Sequence, residues 1–201
     1  VVYGYYDFMT GMDNIRKGLS TPKKTAYGAV IIALAIALGY ALALIPNVEL
    51  VTLTLAVGGY ILGASWGVLI GAIGFGLYSI LSPYGVAPPP LLFAQIIGGA
   101  VIGLGGSLLR MWALSDDKAV RTALYAALVG ILVTFIYDLL TNLGSYVVIA
   151  SKATLGPFLI GGLSFSVLHI VVNGVIFALL FPVISKLLKK AGPRDFNFLR
   201  R

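Results

Sequence analysis

The chain has 201 residues, of which 59% are hydrophobic and 10% charged, and its mean hydropathy is +1.00. A water-soluble domain carries roughly a quarter charged residues, so that class is excluded. The absence of cysteine removes disulfides, thiolate metal sites and thiol nucleophiles, and a formal charge of +7 in so apolar a chain reports membrane topology rather than nucleic acid binding.

The apolar residues fall in runs of 17 or more separated by short polar clusters. They lack the alternation over about ten residues that a membrane barrel requires, and a helix is the other structure that satisfies its own backbone in lipid. The expected fold class is therefore an all-α membrane protein of six transmembrane helices. Residues 1–24 are expected to form a cytoplasmic lead-in, 25–190 the transmembrane domain and 191–201 a basic cytoplasmic tail.

The first predicted helix, 25–45, carries Ala29, Ala33, Ala37 and Ala41 in a four-residue repeat, with Ala35, Gly39 and Ala43 in a second row. Small residues at this spacing let two helix backbones approach closely. The connection "PNVE" follows, where Asn47 has the chemistry of an N-cap and Glu49 would then sit in the first helical turn, where the helix dipole favours an anion. Helices 47–63 and 65–82 are short and joined only by "GAS", so a re-entrant pair is an alternative to two full spans.

The second outer connection, "SPYGVAPPP", contains Tyr84. Helix 90–112 contains Gln95 and the row Gly99, Gly103, Ser107, which matches Gly63, Gly67 and Gly71 on the preceding helix. Helix 120–144 carries Thr134, Asp138 and Asn142 four apart, and the following connection contains Tyr146. Helix 157–189 carries Ser166, His169 and Asn173 at spacings of three and four, which places them on one face.

Orientation follows from lysine and arginine. Arg16, Lys17, Lys23 and Lys24 precede the first helix; Arg110, Lys118 and Arg121 flank the fourth connection. Lys186, Lys189, Lys190, Arg194, Arg200 and Arg201 close the chain, and Lys152 alone falls on the opposite side. Both termini are therefore expected in the cytoplasm, with the connections 45–50, 82–90 and 144–157 outside.

An ionisable group within a span is costly and marks function by default. Asp138 is 17 residues from Arg121, and His169 is 17 residues from Lys186, so both are expected about 26 Å from the inner rim. At equal height on consecutive helices they can meet. Asn47, Glu49, Tyr84, Gln95, Asp138, Asn142, Tyr146, His169 and Asn173 form the expected outer binding belt. A structural Asp138–His169 ion pair, with the amides tying neighbouring helices together, is the other reading of the same residues.

Several chemistries are absent from the sequence. There is no Walker A pattern, so the chain does not itself use ATP, and there is no HExxH zinc motif. Ser164 and Ser166 precede His169, but "GGLSFS" breaks the nucleophile-elbow pattern and both serines share the helix of the histidine. A transport subunit, not an enzyme, is expected.

The alanine repeat of the first helix, the Pro-bearing outer loops, and the runs "IPNVELVTLTLAVGGYILGASWGVLIGAIGFGLYSILSPYG" and "YDLLTNLGS" resemble S components of energy-coupling factor (ECF) transporters. The resemblance covers about residues 25–190. It implies a multi-pass subunit of a prokaryotic cytoplasmic membrane that captures a vitamin-like solute in its outer half under the outer loops. It further implies that Ala29, Ala33, Ala37 and Ala41 contact a T component coupled to two cytoplasmic ATPases. ATP would be used by those partners, and this chain would hold no cofactor. Tyr, Asn and Gln beside one carboxylate and one histidine suit a bulky heterocycle such as a flavin or corrinoid. A stand-alone proton-coupled carrier or channel, with Asp138 as its protonated group, is the alternative.

Overall fold

A computed structural model describes residues 19–113, 119–149 and 154–195. Residues 1–18 of the expected lead-in, Lys118, Lys152, and 196–201 of the expected tail lie outside the described residues. Six α-helices are described: α1 (Thr21–Ala41), α2 (Val51–Leu62), α3 (Ala64–Ile80), α4 (Pro89–Ala113), α5 (Ala119–Ile149) and α6 (Leu155–Asp195). Four of them, α1, α4, α5 and α6, are long and apolar enough to cross a membrane; α2 and α3 are shorter apolar helices. With 12 residues, α2 is about 18 Å long, well short of a hydrocarbon core of about 30 Å.

Helix α1 starts four residues before the predicted 25, with a proline in its first turn, where the missing N–H costs nothing. It also ends earlier than the predicted 45. Residues 42–50 form a run of turns, with Ile45 N–H bonded to the Leu42 carbonyl and Asn47 at φ 60. Asn47 therefore turns the chain in the left-handed region and is not the N-cap of α2. Leu50 holds that position, and α2 begins at Val51 instead of 47. Pro46 supplies the break, since the residue before a proline is pushed out of helical geometry. At the same end of the bundle, α5 runs to Ile149, five residues past the predicted end.

A single residue, Gly63, separates α2 from α3; its φ of 86 with ψ of 179 is open only to glycine. The two helices then pack on α4 through bare backbone. A Cβ on Gly67 would meet the Gly103 carbonyl at 2.5 Å and Gly59 Cα at 2.7 Å, and one on Gly99 would meet the Gly71 carbonyl. Gly106 faces the Ala56 carbonyl in the same way. The predicted glycine rows of the third and fourth helices are thus used within the chain. At the end of α2 the buried Arg110 donates from Nη1 to the Ile61 carbonyl at 3.2 Å, where helix carbonyls lack partners and the dipole is negative.

The core lies between α2, α4, α5 and α6. Tyr60 meets Phe181 edge-on at 5.1 Å, and Phe177, Leu55, Ile102 and Leu109 are fully buried around them. Outward-facing Val30, Leu69, Phe93, Leu128, Phe135, Phe165 and Leu179 are each at least half exposed. Such a continuous apolar exterior is a liability in water and the rule in lipid.

Helix α1 packs on α2 and α3 by one edge. Gly28, Ala35 and Gly39 are buried there, with Gly28 beneath Ile70 and Gly39 against Val51 and Tyr78. Ala29, Ala33, Ala37 and Ala41 lie on the exposed side.

Candidate functional site

Three stretches of chain converge where α2 begins. The turns at 42–50 deliver Glu49, α5 delivers Asp138 and α6 delivers His169 and Asn173. Glu49 stands one residue before the N-cap, and its Oε2 accepts the Thr52 N–H at 2.9 Å. That satisfies one of the free donors at the start of α2. Its other oxygen, Oε1, accepts from Asn173 Nδ2 at 3.0 Å and lies 3.7 Å from His169 Nε2.

On the far side of the imidazole, Nδ1 meets Asp138 Oδ1 at 2.8 Å. Asn173 Nδ2 is also 3.0 Å from His169 Nε2, so a continuous polar chain runs Thr52–Glu49–Asn173–His169–Asp138. The equal heights expected of Asp138 and His169 are realised, and both carboxylates lean on the same ring. Burial alone would raise the Glu49 pKa, but the nearby His169 imidazole and the hydrogen bond from the Thr52 N–H outweigh it and hold the carboxyl below its ordinary value.

This cluster is nearly sealed. Asn173 is fully buried, while the side chains of Glu49, His169 and Asp138 keep edges that are 19%, 15% and 11% exposed. Several buried polar atoms on these elements and on α4 have no partner among the described residues: Asp138 Oδ2, Asn173 Oδ1, Gln95 Oε1 and Thr134 Oγ1. An unsatisfied buried group costs about 1–3 kcal/mol, so their grouping is a feature that needs an occupant or a function.

The remaining expected residues fall at different distances from this centre. Asn142, one turn along α5 from Asp138, donates to Ser166 Oγ at 3.1 Å and ties α5 to α6. Gln95 stands on α4, its buried Oε1 without a partner among the described residues. Tyr146 packs on Phe158 at 5.8 Å, further along the same two helices. Tyr84 stands apart, 74% exposed, with its backbone N–H on Ser82 Oγ at 3.2 Å. Asn47 contributes the turn that carries Glu49 inward.

Sequence reasoning missed an aromatic ladder beside the cluster. Tyr137 lies against Phe75 at 4.6 Å, Phe75 meets Tyr78 edge-on at 6.2 Å, and Tyr78 stacks on Tyr40 at 4.9 Å. The Tyr40 hydroxyl donates to the Tyr78 carbonyl at 2.6 Å. The four rings come from α1, α3 and α5, and no spacing within one helix announces them. The one available signal was Tyr137 standing next to Asp138. Together the ladder and the polar chain set aromatic rings beside hydrogen-bonding groups, the usual composition of a small-molecule site.

Among the described residues, no group of three or more His, Cys, Asp or Glu is placed to hold a metal ion. No curated protein and no solved structure matches the chain. A family model described as "ECF-type riboflavin transporter, S component" matches residues 19–190, the whole of the described bundle apart from the last turn of α6. The chain, a multi-pass membrane protein, belongs to that family of transport subunits.

Proposed function

We propose that this chain captures riboflavin from the outer side of a prokaryotic cytoplasmic membrane and passes it inward as the S component of an ECF importer. The observation that carries the proposal is the cluster of Glu49, Asp138, His169 and Asn173, drawn from three separate stretches of a chain in this family and flanked by unpartnered polar atoms. In this reading all six helices traverse the bundle with both termini cytoplasmic, and the turns at 42–50 form part of the cover over the ligand. The isoalloxazine would lie along the Tyr137–Phe75 end of the ladder, and its polar edge would meet the cluster.

The exposed face of Ala29, Ala33, Ala37 and Ala41 would receive the T component. An open apolar groove of about 420 Å³ runs beside it, lined by Gly28, Ala29, Ala33, Trp66, Ile70 and Ile73, and supports that assignment. Two cytoplasmic ATPases would supply the energy, because this sequence carries no nucleotide-binding motif.

Titration of riboflavin into the purified chain in detergent tests the capture step. Binding in the nanomolar range, about −12 kcal/mol, is expected without any partner. Uptake into proteoliposomes is expected only when the T component and both ATPases are present. Flavin flux through the chain alone would favour the stand-alone carrier instead.

A further inference from the structure

We propose that the groove between α1 and α3 holds one acyl chain of an anionic phospholipid, whose headgroup is taken by Lys23 and Lys24 at the groove's mouth. The proposal needs only that the chain spans a membrane, and it stands whether or not riboflavin is captured. Its first support is shape. The groove runs from Thr25 to Ile36 on α1 and from Trp66 to Leu77 on α3, about 16 Å at the helical rise. That is the depth of one leaflet of a hydrocarbon core about 30 Å thick. Gly28, Ala29 and Ala33 leave the trough open, and Ile32, Leu69 and Ile73 stand along it. Thr25 brings the lining's one hydroxyl, and that group bonds back to the Thr21 carbonyl at 3.0 Å. The interior therefore offers hydrocarbon contact and no hydrogen bond.

The second support is charge. Gly28 lies beneath Ile70, so Thr25 is level with the first turn of α3 and with Trp66. Lys24 stands one helical turn before Gly28, and Lys23 is its neighbour; both are partly exposed. Neither lysine is in an ion pair among the described residues, and Glu49 and Asp138 face His169 beyond the far end of α1. Lysines in this position lay their stems on apolar surface and hold their charge at the membrane boundary, where an indole also settles. An apolar channel one leaflet deep, ending at an indole and two cations, has the pattern of a phospholipid read from tail to headgroup. Ala29 and Ala33 belong both to the groove and to the exposed alanine face, so a T component seated there would expel the lipid.

Quenching of Trp66 fluorescence by brominated acyl chains tests this. The sequence has two tryptophans, so Trp112→Phe leaves Trp66 as the reporter. The full chain is placed in phosphatidylcholine vesicles containing a rising fraction of dibrominated phosphatidylglycerol or dibrominated phosphatidylcholine. The anionic lipid is expected to quench at about a fivefold lower mole fraction than the neutral one. Lys23→Gln with Lys24→Gln should bring the two lipids to within about twofold of each other. Ala33→Phe keeps both lysines but fills the groove, and it should erase the preference equally; Ala29→Leu is the second filling variant. Ala29 and Ala33 are exposed, so the melting temperature of either variant should match that of the parent. Equal quenching by the two lipids in the parent overturns the proposal. A preference that survives both filling variants also overturns it, because the lysines then attract boundary lipid without a seat. Trp66 shielded from both lipids, with a cross-linked dimer, would assign the groove to a second copy of the chain and overturn it as well.

Discussion

The two halves of the bundle are held together by different physics. Where α2 and α3 meet α4, contact is backbone to backbone, with Gly59, Gly67, Gly71, Gly99, Gly103 and Gly106 leaving no room for a Cβ. Where the 42–50 turns meet α5 and α6, contact is through side chains, with hydrogen bonds of 2.8–3.1 Å linking Asp138, His169, Asn173, Glu49, Asn142 and Ser166. Close backbone packing has one arrangement and does not adjust. A side-chain network can exchange its partners for those of a ligand. The molecule thus pairs a fixed scaffold with a region whose bonds are replaceable, and the unpartnered polar atoms near the cluster belong to the replaceable one.

The largest effect is expected from attacking the scaffold. Gly103→Val drives a branched side chain into the Gly67 backbone, which has nowhere to move. A loss of about 3 kcal/mol is expected, seen as a collapse of the detergent-solubilised melting temperature. Next comes Asp138→Ala, which strands His169 and removes a carboxylate that α5 has buried. Riboflavin affinity should fall about a hundredfold, near 3 kcal/mol, while the folded fraction changes less than in Gly103→Val.

Asn173→Ala breaks the link between the turns and α6 while leaving the ion pair in place, and about a tenfold loss of affinity is expected by the same titration. The smallest effect belongs to Tyr84→Ala. With three quarters of that side chain already in the open, a change of less than threefold in affinity and within about 0.5 kcal/mol in stability is expected. A large loss there would extend the capture region well beyond the polar cluster.

Much of this contrast was legible in the sequence. The glycine rows read directly, because small residues at a fixed spacing have one common use between membrane helices. Asp138 and His169 were placed at one height by counting from the basic rim, since a helix converts residue number into depth. The link from Glu49 to Asn173 was not legible. The two are 124 positions apart, and which face of α6 a loop residue meets depends on how α2 packs. Nor did the pattern tell which small-residue row of α1 faces inward. Ala29–Ala41 and Ala35–Gly39 are equally apolar, and in lipid both the core side and the exterior are, so amphipathicity gives no direction. The start of α2 is not legible either: Asn47 has the chemistry of a cap, and only its left-handed backbone beside Pro46 shows that it turns the chain instead.

Replacing Glu49 by glutamine and titrating riboflavin addresses the account at its centre. The substitution keeps the side-chain volume, but the amide turns one acceptor on Thr52 or Asn173 into a donor. Affinity at least tenfold weaker than wild type, with an unchanged melting temperature for the bundle, is the predicted result. Wild-type affinity in a folded Glu49→Gln protein would contradict it and place flavin capture elsewhere in the molecule.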